Sequence, residues 1–267
     1  MKVYPNAKIN LGLNIVRKRE DGYHDLETVM YPIPLYDELE IEKDDELSFE
    51  TEGIRLEDDG KENLVVRAYR LIAERYPIKP VRIHLIKNIP SGAGLGGGSA
   101  DAAFMLKALN ELFSLDINNE ELKHIASRLG ADCAFFIENK PMMCRGIGDQ
   151  MSPVDVNLEK CKLLLVKPAI HISTAEAYRG CIPAPWPTPL QDVMTSPMET
   201  WKNCLKNDFE QQVFALHTEL AVLKKGIYDS GAIYAAMTGS GSALYGIYKN
   251  GIVTDSFSEY KHYMLSL

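Results

Sequence analysis

A chain of 267 residues has room for one large domain or two medium ones, and its 46% hydrophobic and 25% charged residues are ordinary for a folded enzyme. A net charge of -8 without a basic stripe argues against a nucleic-acid partner, because phosphate backbones are held by clustered Lys and Arg. Cysteines 133, 144, 161, 181 and 204 form no Cys-x-x-Cys pair, residues 1–8 lack a signal-peptide core, and the longest aliphatic run is Leu163–Val166, so a cytoplasmic setting with no membrane partner is expected.

Ile9, Leu11, Leu13 and Ile15 alternate with Lys8, Asn10, Gly12 and Asn14, which predicts a half-buried strand with Lys8 and Asn10 together on the face away from the core. Asp21 and Gly22 mark a turn, and strand-like stretches follow at 28–32, 39–42 and 47–51. Leu64, Ala68, Leu71 and Ile72 have helical spacing within 63–76, and Val81, Ile83 and Leu85 alternate as a strand. A glycine-rich loop leads into a helix marked by Ala103, Leu106, Leu109 and Leu112. Asn118 with Glu121 then caps a helix that ends near Gly130.

In the second half, a strand is predicted at 162–166 and a capping box, Ser173 to Glu176, opens a short helix. Five of the fourteen prolines fall between Cys181 and Pro197, so that stretch reads as a loop. Phe209, Val213, Leu216, Leu220, Leu223 and Ile227 line one long helix, and a strand–loop–strand unit occupies 233–248. Hairpins mixed with helices, without regular βαβ alternation, predict an α+β fold. A boundary near residue 155 gives domains 1–155 and 156–267.

The loop of Pro90, Ser91, Gly92, Ala93, Gly94, Leu95, Gly96, Gly97, Gly98, Ser99 and Ala100 carries the strongest chemical signal. Its glycines let the backbone approach a ligand and turn successive N–H groups inward. The positive end of a helix starting near Ala100 completes a phosphate cradle. Ser99 suits a helix cap or a hydroxyl for phosphate-bound Mg²⁺, and both readings stand. Gly92 to Gly97 also matches the dinucleotide pattern G-x-G-x-x-G, but Glu111 and Asp116, near the distance of the ribose-binding acid, lie on or after a helix. No Lys precedes Ser99, which removes the Walker reading.

Pro90 to Asp101 resembles the second motif of the GHMP kinases, the superfamily of galactokinase, homoserine kinase, mevalonate kinase and phosphomevalonate kinase. Ala7 to Leu11 resembles the first motif and Met237 to Ser242 the third, in the same order and across nearly the whole chain. Asp21, Gly22, Tyr23 and His24, with Gly130 to Cys133, are similar to the branch that acts on 4-diphosphocytidyl-2-C-methyl-D-erythritol.

The resemblance implies a two-domain fold, with an N-terminal half like ribosomal protein S5 domain 2 and a C-terminal ferredoxin-like α/β sandwich. It implies ATP with Mg²⁺ as cofactors and a cytidine-diphosphate-linked methylerythritol as small-molecule substrate, with the γ-phosphate passing to its 2-hydroxyl. It makes Asp132 the base and Lys8 its partner, although alone Lys8 reads as a solvated strand lysine and Asp132 as a helix cap. It places Asn10, Tyr23 and His24 at the substrate, with Tyr178 as a second aromatic across the cytosine; alone, Tyr178 reads equally as a packed helix-face residue. Thr238, Gly239, Ser240 and Gly241 would line the cleft as a second glycine loop, or form a plain hairpin turn. No residue cage for a metal is visible. The tail after Tyr248 departs from the pattern in showing no helix of the usual length. A related kinase of another alcohol, a non-catalytic sensor and a nucleotide-linked dehydrogenase are the competing functions, and monomer and homodimer both remain open.

Overall fold

The computed structural model describes residues 1–55, 60–249, 251 and 255–267. Positions 250 and 252–254 of the tail read above lie outside the described residues. In chain order the described strands are β1 (Lys2–Val3), β2 (Asn6–Lys18), β3 (His24–Tyr36), β4 (Glu38–Lys43), β5 (Ser48–Gly53), β6 (Val81–Lys87), β7 (Met142–Arg145), β8 (Gln150–Pro153), β9 (Lys162–Lys167), β10 (Tyr234–Met237), β11 (Leu244–Tyr248) and β12 (Lys261–Ser266). The described helices are α1 (Leu64–Ala73), α2 (Gly97–Leu112), α3 (Asn119–Ser127), α4 (Cys133–Glu138), α5 (Thr174–Arg179), α6 (Leu190–Thr195), α7 (Trp201–Cys204), α8 (Phe209–Leu216) and α9 (Thr218–Asp229). They fall into two compact units: Met1–Ala7, Leu35–Ser91 and Gly96–Lys140 form the first, and Lys8–Pro34, Gly92–Leu95 and Pro141–Leu267 the second.

The first unit is built on a sheet of order β1-β4-β6-β5. Strand β6 buries every second residue, Val81, Ile83, Leu85 and Lys87, and pairs antiparallel with β4, so Leu39 faces Leu85 and Ile41 faces Ile83. Its other neighbour, β5, is parallel, which requires the crossover that α1 supplies. Asn63 caps α1 by accepting from Val65 N, and the helix buries Val65, Val66, Ala68, Tyr69 and Ile72. Helix α2 buries Ala100, Ala102, Ala103 and Ala108, whose small side chains let α1 and α4 approach it closely. Asn118 accepts from Glu121 N at 3.0 Å and starts α3 where the capping pair predicts it.

The second unit holds two sheets, of order β2-β3-β7-β8 and β10-β11-β9-β12. Leu13 and Ile15 of β2 share a core with Leu164 and Val166 of β9 and with Phe209, Val213, Leu220, Leu223 and Ile227 of α8 and α9. The Ser173 hydroxyl accepts from Glu176 N at 3.1 Å, the first half of the expected capping box, and opens α5. Among the described residues no helix is long and apolar enough to cross a membrane.

Four local expectations change. The long helix breaks at His217, whose φ of -128° and ψ of 75° leave the helical region; Phe209, Val213, Leu220, Leu223 and Ile227 still share one core, but Leu216, beside the break, is 56% exposed and leaves the stripe. The proline-rich loop contains α6, with Leu190, Val193 and Met194 buried. The tail returns as β12, an edge strand paired antiparallel with β9. Strand β2 is not half-exposed, because Lys8, Asn10 and Asn14 are as fully buried as the apolar residues between them.

Candidate active site

Burying the polar face of β2 obliges its side chains to find partners. Lys8 is 3% exposed, which removes the reading of a solvated strand lysine. Its Nζ donates to Asn10 Oδ1 at 2.6 Å, and Asn10 Nδ2 donates to Thr28 Oγ1 at 3.0 Å. Thr28 Oγ1 in turn donates to the Gly12 carbonyl, and Tyr245 OH donates to the Asn10 carbonyl at 2.7 Å. Asn10 N donates to Thr238 Oγ1 at 3.1 Å, while that hydroxyl lies 3.1 Å from the Gly94 carbonyl and donates to it. Lys8 N donates to the Leu95 carbonyl at 2.9 Å. The first motif is thus wired to the two glycine loops by side chain and by backbone.

The glycine loop has the conformation its composition calls for. Gly92, Gly94 and Gly96 have φ of +59°, +74° and +70°, a region that side chains rarely adopt. Ala93 and Leu95 between them are buried and anchor the loop. Gly96 is the N-cap of α2, and the helix begins at Gly97, three residues before the expected start. Ser99 therefore lies inside the first turn and is not the cap. The N–H groups of Gly97, Gly98 and Ser99 precede the first intrahelical bond, from Ala100 N to the Gly96 carbonyl at 2.9 Å, and are available to an anion on the helix axis. The next strand, β7, joins a different sheet from β6, so the loop does not sit in a dinucleotide-binding βαβ unit.

The second glycine loop packs against the first. A Cβ on Gly239 would stand 3.0 Å from Gly94 Cα. Asn207 fixes the loop, donating from Nδ2 to the carbonyls of Met237 at 2.9 Å and Gly239 at 2.8 Å. Asn207, Thr28 and Tyr245 were not singled out in the sequence, since no glycine motif or titratable pattern surrounds them. His171 is a further neighbour, because a Cβ on Gly92 would stand 3.2 Å from its ring.

Asp132 stands at the N-cap position of α4, but its backbone is helical, with φ of -77° and ψ of -13°, and its side chain makes no capping bond. The cap reading is thereby removed. The next residue, Cys133, hydrogen-bonds the Ser99 hydroxyl, and burial pushes its thiol up to about 11. The carboxylate therefore stands one residue from a direct contact with the glycine loop.

His24 stacks on Tyr178, with ring centroids 4.7 Å apart and planes 23° from parallel, and Phe209 meets Tyr178 edge-on at 4.8 Å. Burial, helped by Lys18, lowers the His24 pKa, so its imidazole is neutral at pH 7 and offers one donor and one acceptor. Tyr23 is 63% exposed beside this pair, in a turn where its N–H donates to Asp21 Oδ1 at 3.0 Å.

The family models for the GHMP kinases N terminal domain and the GHMP kinases C terminal match residues 63–140 and 190–252. A 4-diphosphocytidyl-2-C-methyl-D-erythritol kinase from Parabacteroides distasonis is 50% identical over 249 residues, covering 93% of this chain and 92% of that protein. The chain belongs to the GHMP kinase family. Its fold agrees with a crystal structure of 4-(cytidine 5'-diphospho)-2C-methyl-D-erythritol kinase, with a TM-score of 0.85 and 30% identity over 99% of this chain and 98% of the other. A homoserine kinase from Cytophaga hutchinsonii shares the fold alone, at a TM-score of 0.71 and 15% identity over 98% and 94% of the two chains. The two-domain α+β expectation is therefore met, and the sensor and dehydrogenase readings give way to a kinase that uses ATP.

In this GHMP kinase the glycine cradle fits phosphate. The N–H groups of Gly97, Gly98 and Ser99 open the helix ahead of its first internal bond, while Gly94 is held without a side chain because a Cβ there would fall 2.0 Å from the Thr238 carbonyl oxygen. Among the described residues no group of three or more His, Cys, Asp or Glu is placed to hold a metal ion.

Proposed function

We propose that this kinase transfers the γ-phosphate of ATP to the 2-hydroxyl of 4-diphosphocytidyl-2-C-methyl-D-erythritol, giving ADP and the 2-phosphate, a step of the non-mevalonate route to isoprenoid precursors. The observation that carries the phosphoryl-transfer reading is the buried network that joins the phosphate loop, through Gly94, Thr238 and Asn10, to the Lys8 ammonium. The acceptor follows from the 50% identity to a kinase of that name and from the paired rings of His24 and Tyr178.

Phosphoryl transfer needs positioning, charge neutralisation and a proton acceptor. The loop of residues 90–100 holds the ATP phosphates through its N–H groups, and Thr238 to Gly241 line the same site. Mg²⁺ arrives with ATP, taking most ligands from phosphates and water, since it dehydrates reluctantly; bound there, it neutralises developing charge. Asp132 takes the proton of the 2-hydroxyl. Lys8, held by Asn10, steadies the oxygen as its proton leaves. Tyr23 and Tyr178 hold the two faces of the cytosine, while His24 and Asn10 hydrogen-bond the substrate.

The proposed domains are 1–155 and 156–267; the segments matched to the family's N-terminal and C-terminal models, 63–140 and 190–252, fall on either side of that boundary, while the compact units of the fold interleave along the chain. The enzyme works in the cytoplasm as a monomer or homodimer. An ADP-release assay against this substrate, homoserine and mevalonate tests the reading: release with the cytidylyl substrate alone supports it, and equal release with homoserine or mevalonate contradicts it.

A further inference from the structure

Both ends of the phosphate loop converge on one buried ammonium. Lys87, the last residue of β6, enters the loop, and Asp101, in the second turn of α2, leaves it. Lys87 Nζ lies 2.6 Å from Asp101 Oδ2 and is also bonded to Asp37 Oδ2. All three side chains are 3% exposed or less. Asp37 is held on its second oxygen by the backbone of the loop entrance, accepting from Asn88 N at 2.6 Å and Ile89 N at 2.8 Å. Gly97 closes the arrangement: a Cβ there would stand 2.9 Å from Ile89 Cγ2 and 3.4 Å from Lys87 Nζ.

A surface ion pair would contribute little, but three charged groups buried together are a different matter. Each was taken out of water, and each loses its compensation if one is removed. With both carboxylates ionised, one ammonium leaves the group one positive charge short, an imbalance that a proton on Asp101 relieves, and Asp101 Oδ1 is buried with no hydrogen-bond partner. A hydrophobic plug would fill this space without that imbalance. What the charged group supplies is direction: one ammonium fixes the α2 backbone against the strand end, and one carboxylate fixes two consecutive loop N–H groups.

We infer that Asp37, Lys87 and Asp101 are positioning residues that set the spacing between the entrance of the phosphate loop and the start of α2, and hence the aim of the N–H groups at ATP. The inference rests on the reading of residues 90–100 as the ATP site. All three side chains are buried and bonded to one another or to the loop backbone. They act through the loop, so their loss falls on ATP binding and not on the cytidylyl substrate. Misplacing a positioned group by about 1 Å can cost on the order of 10²-fold.

The test is steady-state kinetics on Asp101→Asn, Asp101→Leu and Lys87→Met, with the thermal midpoint measured on the same preparations. The expected result is a KM for ATP raised about 10- to 100-fold in Asp101→Leu and Lys87→Met, with the KM for the alcohol substrate within about twofold. Asp101→Asn, which keeps an acceptor for Lys87, recovers most of the loss. A group that only stabilises the fold would lower the midpoint in all variants and leave the KM for ATP unchanged; that outcome overturns the inference. If Asp101→Leu and Lys87→Met do not fold, Asp101→Glu decides: its longer arm is expected to raise the KM for ATP by displacing α2 from the strand end, and a wild-type KM for ATP there also overturns the inference. Gly94→Val serves as the separate control. If it binds ATP normally, the phosphate-loop reading itself has failed, whereas loss of ATP binding there with unchanged KM at Asp101 sinks the positioning role alone.

Discussion

Gly94 and Thr238 meet so closely that a Cβ on Gly94 would stand 2.0 Å from the Thr238 carbonyl oxygen, while the Thr238 hydroxyl donates to the Gly94 carbonyl at 3.1 Å. Two glycine loops 144 residues apart in sequence are thus locked by a contact that no side chain can share. Gly94 is needed twice over, for its φ of +74° and for the missing Cβ.

Gly94→Val places a β-branched side chain in that contact. The expected outcome is a loss of ATP affinity of at least about 10²-fold by calorimetry. The same titration with Gly97→Val, whose Cβ would press on Ile89, is expected to give a comparable loss.

His24 and Tyr178 give a prediction about the substrate. Losing a base stack is worth about 1–3 kcal/mol, or about 5- to 150-fold. Tyr23→Ala, His24→Ala and Tyr178→Ala are expected to raise the KM of the cytidylyl substrate by that range and leave the KM for ATP level. Because burial lowers the His24 pKa from its ordinary 6.5, the neutral ring prevails from pH 7 upward. The substrate KM of the wild type is expected to stay flat from pH 7 to 9 and to rise only on the acid side of 6.5. A KM that instead rises through pH 7 to 8 speaks against His24.

Asp132 and Lys8 are separated from the rest by kcat. Removing a general base costs about 10²- to 10⁴-fold in rate, so Asp132→Asn is expected to lower kcat with both KM values nearly level. Lys8→Met is expected to lower kcat too, and the double variant to be little worse than the weaker single one. Since Asp132 makes no capping bond, its thermal midpoint is expected to hold, where losing a true cap would cost about 0.5–2 kcal/mol. A destabilised but active Asp132→Asn enzyme would remove Asp132 from the chemistry.

Asp101 gives a prediction in pH. Burial first, with Asp37 beside it and against the pull of Lys87, raises its carboxyl from 3.8 to about 7. The folded state therefore holds a proton that the unfolded state releases. Its contribution to stability is full below pH 3.8 and is lost as the pH rises through about 7. Asp101→Asn is expected to flatten the part of the stability profile between about pH 4 and 7 that the wild type shows. An unchanged slope in urea titrations across that window would argue that the proton is bound elsewhere.

Glycine composition made the phosphate loop legible, because runs such as Gly96 to Gly98 have few other uses, and Asn118 and Ser173 announced their helices by capping chemistry. The second and third family motifs were legible for the same reason, a backbone requirement written as glycine, whereas the first, Ala7 to Leu11, has none and was legible only by resemblance. What stayed hidden depended on contacts distant in sequence. Alternation along β2 predicts a wet polar face, and only the contacts of Asn10 with Thr28, Thr238 and Tyr245 reveal it as dry. Asn207 carries no motif, yet it fixes the second loop. The edge strand β12 was missed because His262, Met264 and Ser266 mix polarity too freely for either period.

The most direct measurement is phosphorus NMR of the product made from ATP and 4-diphosphocytidyl-2-C-methyl-D-erythritol. The account predicts ADP in equal amount with one new phosphomonoester on the 2-hydroxyl, and little free phosphate. ATP consumed into free phosphate alone, or a new ester on any other hydroxyl, would contradict it.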